Sequence, residues 1–405
     1  MTNNKNYRIT YMAFIWHAFF LALTMSMLDL NTVFPALVSE LTASKIIFGF
    51  FYSIMLGVPL IFNLIFSHYL KKYRLKRKFL MFGIYLRSFS FLGMAVFTYY
   101  FGISNPTLAI SSFFFWVFLF SISSGFAGIA YADIIAKILP SKQRTELYAV
   151  KQFFSSIAAF MGGLIVTRIF SIGNLVFPIN YSISLCIGFI GLFIASLGFI
   201  FINEPPSATI LEEGNFIQYL KKVPLFLKAD YNFRRYIIIE NMTSSSIMLL
   251  PFYMIYAKEV FQVDNSYIGK YLIFQVIGTI FSNVVWAYIA KKFSSKTIVN
   301  ICILMGALIP LIAIGLSFLG PNYFAIVFFL LGFIISGRRI GFEPYLLDIA
   351  PEEHRTEYLG IRGTLNIFVV ILPIVGGMFI ETLGYYFTMG IVSVVMFVAA
   401  FLMKK

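Results

Sequence analysis

Charge is scarce in this sequence. Only 12% of its 405 residues are Asp, Glu, Lys or Arg, and just 17 of them are acidic. Soluble domains average about 25% charged residues, so an ordinary water-soluble globular protein is excluded. Cysteine is nearly absent: Cys186 and Cys302 lie in different apolar runs, which leaves no disulfide framework. With three histidines, His17, His68 and His354, no metal-ligand spacing arises. No glycine-rich phosphate loop is present, and His, Asp and Cys form no nucleophile-like cluster. The sequence therefore points to no enzyme activity, no cofactor and no bound metal.

What fills the chain is hydrocarbon. It is 60% hydrophobic and 19% aromatic, with a mean hydropathy of +0.87. A bilayer core ~30 Å thick needs about 20 apolar residues per helical crossing. This chain has room for about twelve. The runs are too long and unbroken for the alternating strands of a barrel, so the spans are expected as helices. They are placed at about 11–36, 46–68, 79–101, 107–134, 148–170 and 179–202, then 234–257, 267–290, 297–319, 322–347, 358–381 and 383–403. The first is too long for a signal-peptide core and is expected to be retained.

These spans give an N-terminal six-helix bundle (1–202), a linker (203–232) and a C-terminal six-helix bundle (233–405). Glu204-Pro205-Pro206 stops the sixth helix. In the linker, Phe216, Ile217, Leu220 and Leu227 share a helical face beside Lys221, Lys222 and Lys228. That pattern suits either a surface helix on anionic lipid headgroups or a plain solvated linker. If the N-terminus is cytoplasmic, 26 of the 31 basic residues fall in inner loops or helix ends. Four, Lys45, Arg168, Lys258 and Lys270, fall outside, and Arg87 lies within a span. This asymmetry predicts a multi-pass plasma-membrane protein with both termini cytoplasmic. It also accounts for the net charge of +14 without nucleic acid.

The two halves repeat each other. At an offset of 220, Gly49 matches Gly269, Asn63 matches Asn283, and Lys71-Lys72-Tyr73 matches Lys291-Lys292-Phe293. At an offset of 211, Pro140-x-x-x-Arg144-Thr145-Glu146 matches Pro351-x-x-x-Arg355-Thr356-Glu357, and Lys151 matches Arg362. Gly162-Gly163 and Gly376-Gly377 follow, pairs suited to close helix packing. Two parallel six-helix halves joined by a long linker resemble the major facilitator superfamily. That family's loop motif, Gly-x-x-x-Asp-Arg-x-Gly-Arg-Arg, is reduced here to a basic-aromatic tail: Ser67 and Ala287 replace the glycine, and Lys71 and Lys291 the aspartate. The drug–proton antiporter branch carries Gly-Pro-x-x-Gly-Gly in its fifth helix, and this chain reads Ala158-Ala159-Phe160-Met161-Gly162-Gly163.

The resemblance implies a fold of two pseudo-symmetric bundles whose spans one, four, seven and ten line a central cavity. Ionisable groups at membrane depth are candidates there. Asp29, with Asn31, is expected to bind a proton or cationic group, or else to cap a helix end. Glu240 and Glu343 are expected as a titrating pair beside Arg338 or Arg339, with Asn241 and Asp133 nearby; static salt bridges are the other reading. Arg87 either gates or pairs with Asp133. Arg144, Arg355, Arg362 and Asp348 are expected at a cytoplasmic gate, or as positive-inside anchors.

The function expected is secondary active transport of a small molecule by alternating access, coupled to protons, as a monomer. Export of amphipathic or drug-like compounds is one substrate reading, and uptake of a nutrient or organic anion is another. A membrane-embedded enzyme or lipid-handling protein is the reading from a different class.

Overall fold

In the computed structural model, residues 4–70, 73–139, 141–206, 224, 227–351 and 355–404 are described, and every regular element among them is helical. The first half holds α1 (Asn4–Ser26), α2 (Val33–Leu41), α3 (Lys45–Leu70), α4 (Arg77–Phe101), α5 (Pro106–Ile138), α6 (Ser141–Ser171) and α7 (Ile179–Ile200). The second holds α8 (Tyr231–Thr243), a 3-10 turn (Ser244–Met248), α9 (Phe252–Phe261), α10 (Ser266–Lys292), α11 (Ser295–Ser317) and α12 (Pro321–Ile349). It ends with α13 (Arg355–Leu365), a second 3-10 segment (Asn366–Ile371) and α14 (Leu372–Lys404).

Local chemistry sets the ends of these helices. Asn105 caps α5 by accepting the Leu108 N–H, with Pro106 in the first turn, where its missing N–H costs nothing. Asp230 caps α8 in the same way through Phe233 N, and its second oxygen accepts the Tyr358 hydroxyl. Gly384 has φ of 80°, a left-handed conformation that glycine adopts freely, and it bends α14 into two crossings.

Ten stretches among the described residues are long and apolar enough to cross a membrane, one of them being the bent 44-residue Ile361–Lys404. Counting that stretch twice and adding the interrupted α8–α9 gives twelve crossings, the expected all-helical membrane fold. Their outward faces are apolar. Phe82, Phe89 and Val96 recur every seven residues along α4, and Ile277, Phe281, Val284 and Tyr288 form a similar exposed stripe on α10. Such stripes would be sticky in water and suit lipid.

Three expected spans are not continuous α-helices, the eleventh, placed at 358–381, passing through the 3-10 segment Asn366–Ile371. The first, placed at 11–36, breaks at 27–32, and the seventh, placed at 234–257, breaks at 244–251. Freed backbone groups at these points are taken up by hydroxyls and carboxylates, as set out below. The linker residues 207–223, which include Phe216, Ile217, Leu220, Lys221 and Lys222 of the expected surface helix, lie outside the described residues.

By packing, the chain forms two units. One comprises Met1–Ala43, Ile54–Glu213 and Asn265–Gly269, the other Ser44–Ser53, Gly214–Asp264 and Lys270–Lys405. The first unit's core at its basic-loop end joins Phe14, Leu80, Ile84, Ala130, Ile134, Leu147 and Phe199. A corresponding core in the second joins Phe233, Tyr236, Ile237, Leu346, Tyr358 and Ile361.

Glycines let helices touch. A Cβ on Gly162 would lie 2.6 Å from Ser26 Cβ, and one on Gly377 would lie 2.3 Å from the Lys45 carbonyl oxygen. The closest approach of a described glycine to another helix's backbone is α10 on α12: a Cβ on Gly278 would sit 2.1 Å from Phe329 O, and one on Gly332 would sit 2.2 Å from Gln275 O. Backbone cannot retreat as a side chain can. Gly278→Ala is therefore expected to cost ~1–3 kcal/mol by forcing the helices apart. Its melting temperature in detergent should fall below that of the parent, and an unchanged value would mean that the crossing is slack.

Candidate functional site

The break in the first unit is built from a short polar run. Asp29 Oδ1 accepts the Asn31 N–H (3.0 Å) and the Thr32 hydroxyl (2.8 Å), which turns the chain so that α2 can start. Ser184 donates to Met27 O (3.0 Å), and Ser26 donates to Ala22 O and Ala159 O (both 3.2 Å). These bonds replace helical partners lost at the break, as backbone at membrane depth requires.

The second unit does the same with different residues. Thr243 and Ser244 hydroxyls both donate to Glu240 O (2.8 and 2.9 Å), and Ser246 donates to Thr243 O (2.8 Å). Arg338 reaches from α12 to Thr243 O (3.0 Å) and Ser244 Oγ (3.2 Å), with its guanidinium 4.7 Å from the Phe342 ring centroid. At the offset of 220 that aligns the basic loops, α2 begins at 33 and α9 at 252, within one residue of register.

Beside the second break lies an ion cluster. Glu240, 2% exposed, receives Arg362 Nη2 at 2.7 Å and Nε at 2.8 and 3.1 Å. Glu343 meets Arg362 Nη1 at 3.5 Å and is largely exposed. The structure thus brings together Glu240, Glu343 and Arg362. Neither expected partner makes a contact ion pair there: Arg338, which feels the charge of Glu240, donates to the broken backbone, and Arg339 is exposed. Geometry explains the exchange, because Arg362 approaches from a different helix, 122 positions away in sequence.

Inside the first unit Arg87 donates to Ser123 Oγ (3.2 Å) and Ser124 Oγ (2.8 Å) and lies 5.4 Å from the Phe120 ring centroid. Its expected partner Asp133 is engaged elsewhere. Asp133 bridges Lys76 (2.8 Å) and Lys137 (2.7 Å), and Lys137 also binds Glu204 (2.7 Å). Glu204, 8% exposed, accepts the N–H groups of Lys76 (2.8 Å) and Arg77 (2.7 Å) and so caps α4 from the end of α7. This network ties three helices together at their basic-loop end. The sequence had placed Asp133 with the cavity residues and Glu204 only at the mouth of the linker.

The expected gate residues that are described have partners within their own unit. Arg144 donates to Leu139 O (2.8 Å), closing the end of α5. Asp348 accepts the Ser295 hydroxyl. Asn241 bonds back to Ile237 O within its own helix (2.9 Å). The side chain of Arg355 lies outside the described residues.

His17 and Lys151 were not among the expected site residues, yet both sit in the first unit's interior. His17 is 5% exposed, with its ring centroid 4.7 Å from that of Phe199 and 5.7 Å from that of Tyr131. Lys151 Nζ lies over the Tyr131 and Tyr148 rings, 4.4 and 4.7 Å from their centroids. The signal available was the repeat itself, which aligns Lys151 with Arg362.

Comparison with known proteins adds the following. Residues 237–404 match the family model described as Major Facilitator Superfamily. No curated protein sequence matches the chain. Among solved structures it resembles the nucleoside transporter NupG, with a TM-score of 0.72 at 13% identity over 98% of each chain. A peptide transporter POT in complex with sulfate gives 0.71 at 9% identity, covering 98% of this chain and 93% of that one. A D-xylose–proton symporter gives 0.65 at 17% identity, covering 98% and 96%. At such identities the likeness is one of fold.

Proposed function

We propose that the chain is a transporter of the major facilitator superfamily, the family whose model matches residues 237–404 and whose fold the full length resembles, and that it moves a small solute by proton-coupled alternating access. The observation that carries the reading is the pair of breaks, at 27–32 and 244–251, in equivalent positions of the two repeats. Irregular backbone at membrane depth persists only where protein or a water-lined cavity surrounds it, and interrupted helices at matching repeat positions mark solute sites in such folds. Each half would contact solute at its break.

Coupling is assigned to Glu240, Arg362 and Glu343. A buried carboxylate held by one guanidinium is stable while ionised; once protonated it loses most of its hold on Arg362 and frees that side chain to move. The D-xylose–proton symporter among the fold relatives couples its solute to protons, which fits this assignment. The membrane proposed is the plasma membrane, with the basic-loop ends and both termini in the cytoplasm. Anionic lipid would gather there. Arg8 heads an apolar groove of about 600 Å³ lined by Met12, Trp16, Leu197 and Phe201, which suits a headgroup phosphate with an acyl chain beneath it.

The test uses inside-out vesicles with an acid interior and a pH-sensitive dye, challenged with sugars, amino acids, nucleosides, organic anions and lipophilic cations. One class should dissipate the gradient in vesicles with the protein and not in vesicles without it. Solute entry with no change in dye signal would remove proton coupling and leave transport standing.

A further inference from the structure

The described bases buried in this protein fall into two kinds. Lys76, Lys137 and Arg362 each meet a carboxylate within 2.8 Å. Arg87, Lys151 and Arg338 form no ion pair: Arg87 is held by two neutral hydroxyls and a ring, Lys151 by two tyrosine rings, and Arg338 by a carbonyl, a hydroxyl and a ring with the charge of Glu240 bearing on it. A cation at membrane depth without a counter-charge costs several kcal/mol, so the first unit's interior, which keeps Arg87 and Lys151 in that state, is built for a negative charge from elsewhere.

Their placement agrees. Helices α4 and α6 both start at the basic-loop end, and each of the two residues follows ten positions after its helix begins. At 1.5 Å per residue Arg87 lies about 15 Å along the apolar stretch Arg77–Phe101, near mid-membrane, and Lys151 about 8 Å into the stretch that begins at Glu146. The exposed Phe82 and Phe89 of α4 lie about 140° and 160° around the helix from Arg87, so the partly accessible guanidinium opens inward and not to lipid. Tyr131 links the group, its ring lying between Lys151 and His17, and the charges of Arg87 and Lys151 both bear on the imidazole. The buried Nδ1 of His17 has no hydrogen-bond partner among the described residues.

Resting on the transport reading above, we propose that the solute is an organic anion, a carboxylate or phosphate ester with an apolar or aromatic body, whose charged group binds Arg87 and Lys151 beside His17. Two of the guanidinium's donors are held by Ser123 and Ser124, which orients the rest for a planar or tetrahedral anion. Phe120, Tyr131 and Tyr148 supply the apolar wall. Cationic cargo would meet like charge here. Of the acids expected in the cavity from the sequence, Asp133 and Glu240 are already paired with Lys76, Lys137 and Arg362.

The experiment takes full-length protein in phosphatidylcholine nanodiscs and titrates matched probes: benzoate, benzamide and benzylamine; glucose 6-phosphate and glucose; uridine monophosphate and uridine. Tryptophan-emission melting reports binding, and probes that bind are then followed into proteoliposomes. At least one anion should raise the melting temperature where its neutral or cationic partner does not. Arg87→Gln and Lys151→Gln should each weaken that binding about tenfold or more, with Arg87→Lys retaining part of it as a check on folding. Preference for neutral or cationic probes, no binding by any probe, or binding unchanged in both Gln variants would overturn the proposal. Competition by phosphatidylglycerol added to the discs would assign the site to a lipid headgroup and overturn the soluble-anion assignment. The two readings fail separately: a neutral probe carried into proteoliposomes sinks the anion site and keeps transport, whereas anions that bind but are never carried do the reverse.

Discussion

Glu240→Gln is expected to abolish proton-coupled flux and to destabilise the protein by about 3–5 kcal/mol, the cost of leaving a buried partner uncompensated. The carboxylate is 2% exposed and Arg362 20% exposed, so solvent screens the pair little. Three contacts between 2.7 and 3.1 Å hold the guanidinium in a fork that glutamine, with one acceptor and no charge, cannot match. Arg362→Gln should destabilise by a similar amount, because Glu240 is then the stranded charge. The double variant, which strands neither, should regain much of the stability and none of the coupling. Glu343→Gln should hardly change stability, since Glu343 is largely exposed and its contact is 3.5 Å. Melting curves and dye-reported proton flux on the same preparations separate the roles. A Glu240→Gln protein that melts early yet still moves protons with solute would reduce the pair to a structural salt bridge.

The twelve-crossing architecture was legible because its causes are one-dimensional. Hydropathy sets the spans, proline and the basic runs punctuate them, and the repeat at offsets of 220 and 211 ties the halves together. The breaks were harder to read. Residues 27–32 and 244–251 sit inside apolar runs long enough for one helix each, and a hydropathy window averages over a six- or eight-residue interruption. Signs were present in Asp29-x-Asn31-Thr32 and in the hydroxyl run Thr243–Ser246 before Pro251. Asp29, expected as a cavity ligand or a helix cap, and the hydroxyls of Thr243 and Ser244 prove to be substitutes for lost helical hydrogen bonds.

Pairing was not legible, for a geometric reason. Which acid meets which base depends on helix rotation and on which helices adjoin, and neither follows from spacing within one helix. The sequence singles out both Glu240 and Arg362, but similar depth in the membrane matches Arg338 or Arg339 to the acids instead. Likewise Asp133 was set beside Arg87, while Lys76 and Lys137 counted only as inward-facing charge. His17 carries no motif, and Lys151 only its repeat match to Arg362. Their meaning comes from what is missing around them, and only coordinates show that.

The other large effect is expected far from any solute, at Glu204. Its carboxylate caps α4 through Lys76 N and Arg77 N and also accepts Lys137 Nζ, so one side chain fixes the starts and ends of three helices. Glu204→Ala leaves the α4 donors without their acceptor, a loss of about 0.5–2 kcal/mol, and strips one of two counter-charges from Lys137. Breaking such a buried pair adds about 3 kcal/mol or more. Asp133 remains within 2.7 Å of Lys137 and limits the damage, so the protein should fold with a much lower melting temperature. Glu204→Gln keeps an acceptor for the cap and should fall between the two. Because the network is closed on itself, transport per folded molecule should stay at the parent's rate at temperatures well below the melt. Fluorescence-detected gel filtration after stepwise heating, paired with transport normalised to the monodisperse peak, checks both halves of the claim. Parental melting would show the cap to be dispensable, and a stable but inactive variant would mean that this end of the bundle takes part in the transport cycle.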